Sequence, residues 1–80
     1  MFQRKINNLI NDYVIYGAGE AGKQIYSSLE VINKKVFCFI DDNIQKQKKT
    51  LFGKKIISQN YFEKLLKKKT FNNLIIAIPS

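Results

Sequence analysis

Three glycines in the first third of the chain have the spacing of a phosphate-binding turn. Gly17, Gly19 and Gly22 form a G-x-G-x-x-G pattern directly after the apolar run Tyr13–Tyr16. In such a turn the first glycine lets the backbone leave a strand sharply, the second lets a pyrophosphate approach the main chain, and the third lets the following helix pack closely. That helix also presents free N–H groups and its positive dipole end to an anion. The spacing alone also fits glycines with a purely structural role. The neighbouring elements are therefore needed to distinguish a phosphate-binding turn from a structural one.

Two acidic residues add a second feature of nucleotide sites. Asp41 and Asp42 follow Val36–Ile40, a run that is apolar at every position. Asp41 lies 19 residues after Gly22, where dinucleotide-binding folds carry an acid that accepts hydrogen bonds from ribose hydroxyls. The alternative is a turn or capping residue, because aspartate is common in turns.

The elements that hold these residues have a strand–helix–strand pattern. The runs Tyr13–Tyr16 and Val36–Ile40 predict two buried parallel strands, joined by a right-handed crossover. Between them the spacing predicts a helix over residues 20–32. Its apolar stripe consists of Ala21, Ile25, Leu29 and Ile32.

The rest of the chain completes a small α/β fold. Residues 43–53 predict a lysine-rich loop, 54–58 a short edge strand, 60–69 a helix capped by Ser58, and 73–78 a further buried strand. Residues 1–12 have apolar positions at helical spacing and predict a short helical extension. Residues 13–80 therefore predict a partial, truncated Rossmann-like domain, with a parallel sheet of about three to four strands and helices packed on it.

The predicted fold brings the candidate ligand-binding residues to one edge of the sheet, because ligands bind beyond the carboxyl ends of parallel strands. Residues of the glycine turn would receive the phosphates, and Asp41 would bind the ribose, with Asp42 as a further candidate. The residues after the last strand would line the same crevice. The cofactor-binding candidates are Gly17, Ala18, Gly19, Glu20, Ala21, Gly22, Asp41, Asp42, Pro79 and Ser80.

The composition excludes several kinds of chemistry. Eighty residues allow one small domain. The absence of histidine and the single cysteine, Cys38, exclude histidine-based metal sites, multi-thiolate zinc sites and catalysis by Ser-His or Cys-His pairs within the chain. Cys38 lies in an apolar strand and is expected to be a buried, inert thiol. We therefore expect no metal site and no catalysis by these residue pairs.

The net charge of +8 is compatible with nucleic acid or an anionic membrane surface as partner. However, Arg4 is the only arginine among 14 basic residues, whereas base readout and bidentate phosphate recognition favour arginine. The chain is also rich in Ile and Asn, which accompany Lys when a genome is rich in A and T. We expect a solvated lysine surface and no nucleic-acid partner.

Three stretches together resemble one bacterial family. They are Tyr-Gly-Ala-Gly-Glu-Ala-Gly-Lys-Gln at 16–24, Phe-Ile-Asp-Asp at 39–42 and Leu-Ile-Ile-Ala-Ile-Pro-Ser at 74–80. They resemble the Rossmann-like, "CoA-binding"-type domain that precedes the catalytic domain of membrane-associated nucleoside-diphosphate-sugar epimerase/dehydratases. These are the capsular-polysaccharide and flagellin-glycosylation dehydratases of polysaccharide biosynthesis. A similar domain also precedes some initiating sugar-phosphate transferases.

The resemblance implies a cytoplasmic nucleotide-binding module that does not catalyse by itself. The family's Tyr-x-x-x-Lys pair is absent, since Tyr13, Tyr16, Tyr26 and Tyr61 have no lysine four residues later. We therefore expect a fragment of the N-terminal module, whose partners would be a downstream catalytic domain and a nucleotide, with a second copy as a further candidate. A membrane would be reached only through parent segments that are not in this sequence. The ligand would be NAD or another nucleotide such as NADP, a nucleotide-sugar or acyl-CoA, and the alternative role is structural or regulatory with little ligand affinity.

Overall fold

Within residues 9–77, the part of the chain that the structure describes, the computed structural model forms five strands and three helices. The strands are β1 (Leu9–Tyr16), β2 (Val36–Ile40), β3 (Thr50–Leu51), β4 (Lys54–Ile57) and β5 (Thr70–Ile76). The helices are α1 (Glu20–Val31), α2 (Ile44–Gln47) and α3 (Gln59–Leu65). The strand order is β3-β4-β2-β1-β5, and β3 pairs antiparallel with β4 while the other pairs are parallel. This arrangement confirms the α/β, Rossmann-like fold class.

The two central strands are buried because helices cover both faces of the sheet. Val14 and Ile15 are adjacent in β1 and fully buried, so they point to opposite faces. Ile15 belongs to an apolar cluster with Leu29 of α1, and Val14 belongs to a second cluster with Phe62 of α3. Helices α1 and α3 therefore lie on opposite faces, as right-handed crossovers in opposite directions require.

Cys38 lies in the interior of β2, as its apolar surroundings in the sequence predict. Its side chain is buried in the α3-facing cluster. Burial raises the pKa of its thiol to about 11, because the apolar interior disfavours the thiolate. The protein therefore holds Cys38 as an unreactive thiol.

The predicted boundary between a helical extension and the first strand is wrong for residues 9–12. Strand β1 begins at Leu9, where Leu9 pairs with Thr70 and Ile10 with Phe71. Asn73 Nδ2 also donates to the backbone oxygen of Asn11 at 2.7 Å. Pairing with β5 thus overrides the helical spacing of the local apolar residues. The rest of the predicted extension, residues 1–8, lies outside the described residues.

The second half of the chain contains more regular structure than its composition predicts. The predicted loop at 43–53 contains α2 and β3, and β3 makes β4 an interior strand where an edge strand is predicted. Helix α3 ends at Leu65, earlier than predicted, and β5 begins at Thr70. Helix α1 ends at Val31, so Ile32 leaves the predicted stripe and is exposed. The sheet thus has five strands, not three to four.

Two non-glycine residues adopt the left-handed conformation where the chain must reverse sharply. Asn33, with φ 64°, ends α1 in a Schellman motif: its own N–H donates to the oxygen of Glu30, and the next N–H donates to that of Leu29. Phe52, with φ 53°, forms the β3–β4 turn with Gly53. The Phe52 ring stacks on Tyr26 at 4.4 Å between centroids, and this contact offsets the backbone strain. Both turns lie at the edge of the sheet where β2 and β4 begin.

Candidate functional site

An open cavity of about 470 Å³ lies beyond the carboxyl ends of β1, β2 and β5. Its size is within the range of small-molecule sites. The predicted site residues that line it are Gly17, Gly19, Glu20, Ala21, Gly22, Asp41 and Asp42. It is also lined by Tyr16, Ile40, Lys46, Ile76 and Ala77, which were not among the candidates. Ala18 is buried beneath it, and Pro79 and Ser80 lie outside the described residues.

Backbone hydrogen bonds hold the strand ends around the cavity in register. The N–H of Gly17 donates to the oxygen of Ile40 at 2.7 Å, and the N–H of Ala77 donates to that of Tyr16 at 2.8 Å. Beyond β2, the Asp41 N–H donates to the oxygen of Ile57 at 2.9 Å. The carboxyl ends of four neighbouring strands are therefore fixed relative to one another.

Two of the three motif glycines are required by the fold itself. Gly17 has φ 119°, and an added Cβ would lie 3.0 Å from the oxygen of Ala77. At Gly22 an added Cβ would collide with the carbonyl oxygen of Gly17. Helix α1 can therefore sit on the glycine turn only because Gly22 has no side chain.

Gly19 differs from the other two glycines, because the fold does not require it. Its φ of −96° is open to any residue. An added Cβ would have one heavy atom within 4 Å among the described residues, the Nζ of Lys46 at 3.6 Å, which ends a flexible side chain. Gly19 is the N-cap of α1, and its side-chain-free surface lines the cavity. The space above it is where a ligand phosphate approaches the main chain in folds of this kind.

The first turn of α1 faces the same cavity with unused hydrogen-bond donors. Gly19 supplies no side-chain cap, so the N–H groups of Glu20, Ala21 and Gly22 have no side-chain acceptor within the described residues. Their partial positive charge, together with the helix dipole, favours an anion at this position. The exposed Glu20 carboxylate is paired with Lys23 at 3.2 Å.

Asp41 ties the end of β2 to the glycine turn. Its Oδ2 accepts a hydrogen bond from the N–H of Ala18 at 3.0 Å, and its Oδ1 accepts one from the N–H of Asn43 at 2.9 Å. Asp41 thus serves as a turn residue, and the Ala18 N–H is not available to a phosphate. The carboxylate still lines the cavity, and each of its oxygens has a second lone pair for a ribose hydroxyl. The ribose role of Asp41 stays a prediction.

The surroundings of Asp41 keep it ionised. Partial burial raises its pKa, but the N–H bonds from Asn43 and Ala18 and the nearby charge of Lys46 lower it, and the net pKa is below the ordinary value. The carboxylate is therefore charged whenever the domain is folded near neutral pH.

Lys46 is a site residue that the sequence places only in a lysine-rich loop. Helix α2 positions it, because the Oδ1 of Asn43 caps that helix by accepting from the N–H groups of Gln45 and Lys46. The Lys46 Nζ lies 3.6 Å from the Oδ2 of Asp41 and lines the cavity above Gly19. A cation therefore stands beside the first turn of α1, on the side where β2 ends.

Asp42 contacts helix α3. Its Oδ1 accepts a hydrogen bond from the N–H of Gln59 at 2.9 Å. The side chain of Gln59 accepts a hydrogen bond from the hydroxyl of Tyr16, which also lines the cavity. Asp42 thereby anchors α3 to the rim of the cavity.

A parallel α/β sheet with a glycine turn at its carboxyl edge defines a Rossmann-type domain. The chain belongs to the family described as C2185-like, N-terminal, whose model matches residues 9–79. It is similar to the crystal structure of UDP-D-quinovosamine 4-dehydrogenase from Vibrio fischeri, with 37% sequence identity and a TM-score of 0.74. The match covers 88% of this chain and 58% of that one. No significant match is found among curated proteins.

The 37% identity relates the chain to part of a UDP-sugar dehydrogenase as well as to a fold. Within residues 9–77, no helix is long and apolar enough to cross a bilayer.

We predict that Gly22→Ala destabilises the domain, because the new Cβ meets the carbonyl of Gly17. Overpacking of this kind costs about 1–3 kcal/mol, and backbone atoms cannot move aside as a side chain would. Urea unfolding measures the change. Ser27→Ala, on the exposed face of α1, is the control and should stay within about 0.5 kcal/mol. Equal stability of the two variants would contradict the close packing of α1 on the turn.

We predict that Asp41→Asn lowers the free energy of unfolding at pH 7 by about 1–3 kcal/mol, because an amide cannot replace both charged hydrogen bonds. The pKa of Asp41 is lowered in the folded state, so its contribution is present above the unfolded pKa and is lost as pH falls through the folded one. The gap in unfolding free energy between variant and wild type should therefore be constant near neutral pH and close over the range below the ordinary aspartate pKa of 3.8, as the folded carboxylate is protonated. A gap that is constant over this range would contradict the role of the charge, and the exposed Glu30→Gln is the control.

Proposed function

We propose that the chain is the nucleotide-binding module of a nucleoside-diphosphate-sugar epimerase/dehydratase in bacterial polysaccharide biosynthesis. By itself the module binds and does not catalyse. Its family and its similarity to a UDP-sugar 4-dehydrogenase support a sugar-nucleotide role. The chain spans 58% of that relative, so the parent reaction and its location at the cytoplasmic face of a membrane are part of this proposal.

The observation that carries the proposal is the open space at Gly19. Gly17 and Gly22 have structural reasons to be glycine, whereas Gly19 has none among the described residues. Around the same space lie the free N–H groups of the first turn of α1 and the cation of Lys46. A diphosphate would supply acceptor oxygens to these N–H groups and a second anionic partner to Lys46, which already pairs with Asp41.

The rest of the cavity fits a nucleoside attached to that diphosphate. Asp41 would accept hydrogen bonds from the ribose, while the apolar side chains of Ile40 and Ile76 would contact the uncharged parts of the ligand. The ligand class is therefore NAD or a nucleotide-sugar.

A structural or regulatory module with little ligand affinity is the alternative. It is favoured by the fact that Gly17, Gly22 and Asp41 all have roles within the fold. The corresponding domain of an initiating sugar-phosphate transferase is a second possible parent, and it would use the same cavity. The two hypotheses, nucleotide binding and a purely structural role, predict different effects of substitutions at Gly19.

We predict that Gly19→Asp abolishes nucleotide binding without destabilising the domain. Aspartate is at least as good an N-cap as glycine, and Lys46 would attract the new carboxylate, so thermal melting should be unchanged or raised. The same carboxylate would occupy the phosphate position and repel a diphosphate. Calorimetric titration with UDP and with NAD should show at least a tenfold loss of affinity for the probe that binds wild type, about 1.4 kcal/mol.

Gly19→Ser is the matched control for this experiment. Serine also caps a helix but adds no charge, so it should weaken binding less than aspartate does. Equal affinities of wild type and both variants would refute the proposed site. Absence of binding by well-folded wild type to UDP, UDP-sugars and NAD would favour the structural alternative.

We predict that, of the two dinucleotides, NAD binds more tightly than NADP. The Asp41 carboxylate attracts ribose hydroxyls and repels a 2′-phosphate, although the pairing with Lys46 reduces this repulsion. The Asp41→Asn variant is titrated under conditions where circular dichroism shows it folded. Its difference in binding free energy between NAD and NADP should be smaller than that of wild type by about 1–3 kcal/mol. Tighter NADP binding by wild type would mean that Lys46 dominates this part of the cavity.

A further inference from the structure

Exposed apolar side chains gather at the edge of the sheet opposite the cavity. Strands β2, β4 and β5 are aligned in parallel through the sheet and all begin at this edge. The segments that precede or open these strands are residues 31–35, 52–55 and 66–69, which together are called the basic edge here. Its large apolar side chains are Val31, 85% exposed, Ile32, 59%, Phe52, 50%, and Leu66, 48%.

The same three segments carry half of the basic residues of the chain. They contain seven of its 14 lysines and arginines and no acidic residue. The seven are Lys34, Lys35, Lys54, Lys55, Lys67, Lys68 and Lys69. Among the described residues the ion pairs are Lys23–Glu20 and Lys46–Asp41, so no lysine of the basic edge is paired with a carboxylate there.

Contacts with neighbouring elements fix where each segment lies. The rings of Phe37 and Phe71, the second residues of β2 and β5, lie 5.2 Å apart. The Lys35 oxygen accepts a hydrogen bond from β1 at 2.7 Å, and Phe52 stacks on Tyr26 of α1. The three segments of the basic edge therefore adjoin packed elements and lie at one end of the same sheet.

We propose that the basic edge binds an anionic phospholipid bilayer, in contrast to the expectation from sequence that the lysines are only solvated and that a membrane is reached only through other segments. Apolar side chains followed by lysines suit the boundary between headgroups and acyl chains, where both kinds of side chain are stabilised. Each of the three segments combines at least one such apolar residue with two or three lysines. The cavity lies at the opposite edge of the sheet, so lipid contact leaves it open.

Nucleic acid suits this surface less well. The basic edge contains no arginine, and its one aromatic residue, Phe52, already stacks on Tyr26. Single-stranded nucleic acid is bound through several aromatic side chains that stack on bases. Exposed Val31, Ile32 and Leu66 would gain nothing from a phosphate backbone, whereas a bilayer interface buries them.

Sedimentation of the whole chain with vesicles tests the proposal. Vesicles of phosphatidylcholine with about 30% phosphatidylglycerol should bind the protein at 50 mM salt, pure phosphatidylcholine vesicles should bind it weakly, and 500 mM salt should reduce the binding. The triple variant Lys67→Gln, Lys68→Gln, Lys69→Gln should lose at least tenfold in affinity, since each lysine near an anionic surface contributes up to about fivefold.

The matched control removes the same charge elsewhere. Lys23→Gln, Lys48→Gln, Lys49→Gln lowers the net charge equally but leaves the basic edge intact, and it should lose less than threefold. Val31→Gln with Leu66→Gln should also weaken binding, whereas Ile44→Gln with Leu74→Gln, which removes two other exposed apolar side chains, should not. Circular dichroism verifies that each variant is folded, and Lys34→Gln with Lys35→Gln replaces the triple variant if that one unfolds.

Three results would overturn the proposal. Equal losses in the two triple variants would mean that net charge, and not the basic edge, attracts the protein. Unchanged vesicle binding by the Val31→Gln, Leu66→Gln variant would show that these side chains do not enter the bilayer interface. Single-stranded RNA that binds at physiological salt more tightly than the anionic vesicles would show a nucleic-acid surface.

Discussion

The packing of helix α1 on the glycine turn depends on the absence of a side chain at residue 22. Gly22 packs against the carbonyl of Gly17, and a single added carbon would push the helix away. This contact determines where the N-terminus of α1 points, and hence where its free N–H groups meet the carboxyl ends of β1 and β2. On the other side of the turn, the Asp41 carboxylate holds the N–H of Ala18. These two contacts fix the turn from both sides. The space above Gly19 lies between them and stays open.

The two edges of the sheet have different electrostatic designs. At the carboxyl edge two close ion pairs, Glu20 with Lys23 and Asp41 with Lys46, lie near backbone donors. At the opposite edge the lysines stand without carboxylate partners among the described residues and next to exposed apolar side chains. A net charge of +8 is therefore unevenly distributed: a small anion is suited to one edge and an extended anionic surface to the other.

Local patterns predicted much of the fold but not its long-range pairing. Strand β2 has its predicted bounds because burial on both faces makes every position apolar, and Ser58 caps α3 as predicted because a cap depends on nearby residues. Residues 9–12 were misassigned because their strand partner lies about 60 residues later in the chain. Lys46 was missed as a site residue because α2, a helix of four residues, has too short a pattern to recognise. The different roles of Gly19 and Gly22 depend on atoms from other segments, which the motif does not contain.

Amide NMR during titration with UDP, UDP-N-acetylglucosamine and NAD tests the central claim most directly, because it reports where a nucleotide binds in a chain of 80 residues. If the glycine-turn cavity is a diphosphate site, the largest shifts will occur at the amides of Gly19, Glu20, Ala21 and Gly22, with smaller ones near Asp41 and Lys46. Shifts confined to the lysines at residues 34–35 and 67–69, or none with any of the three nucleotides, would contradict it.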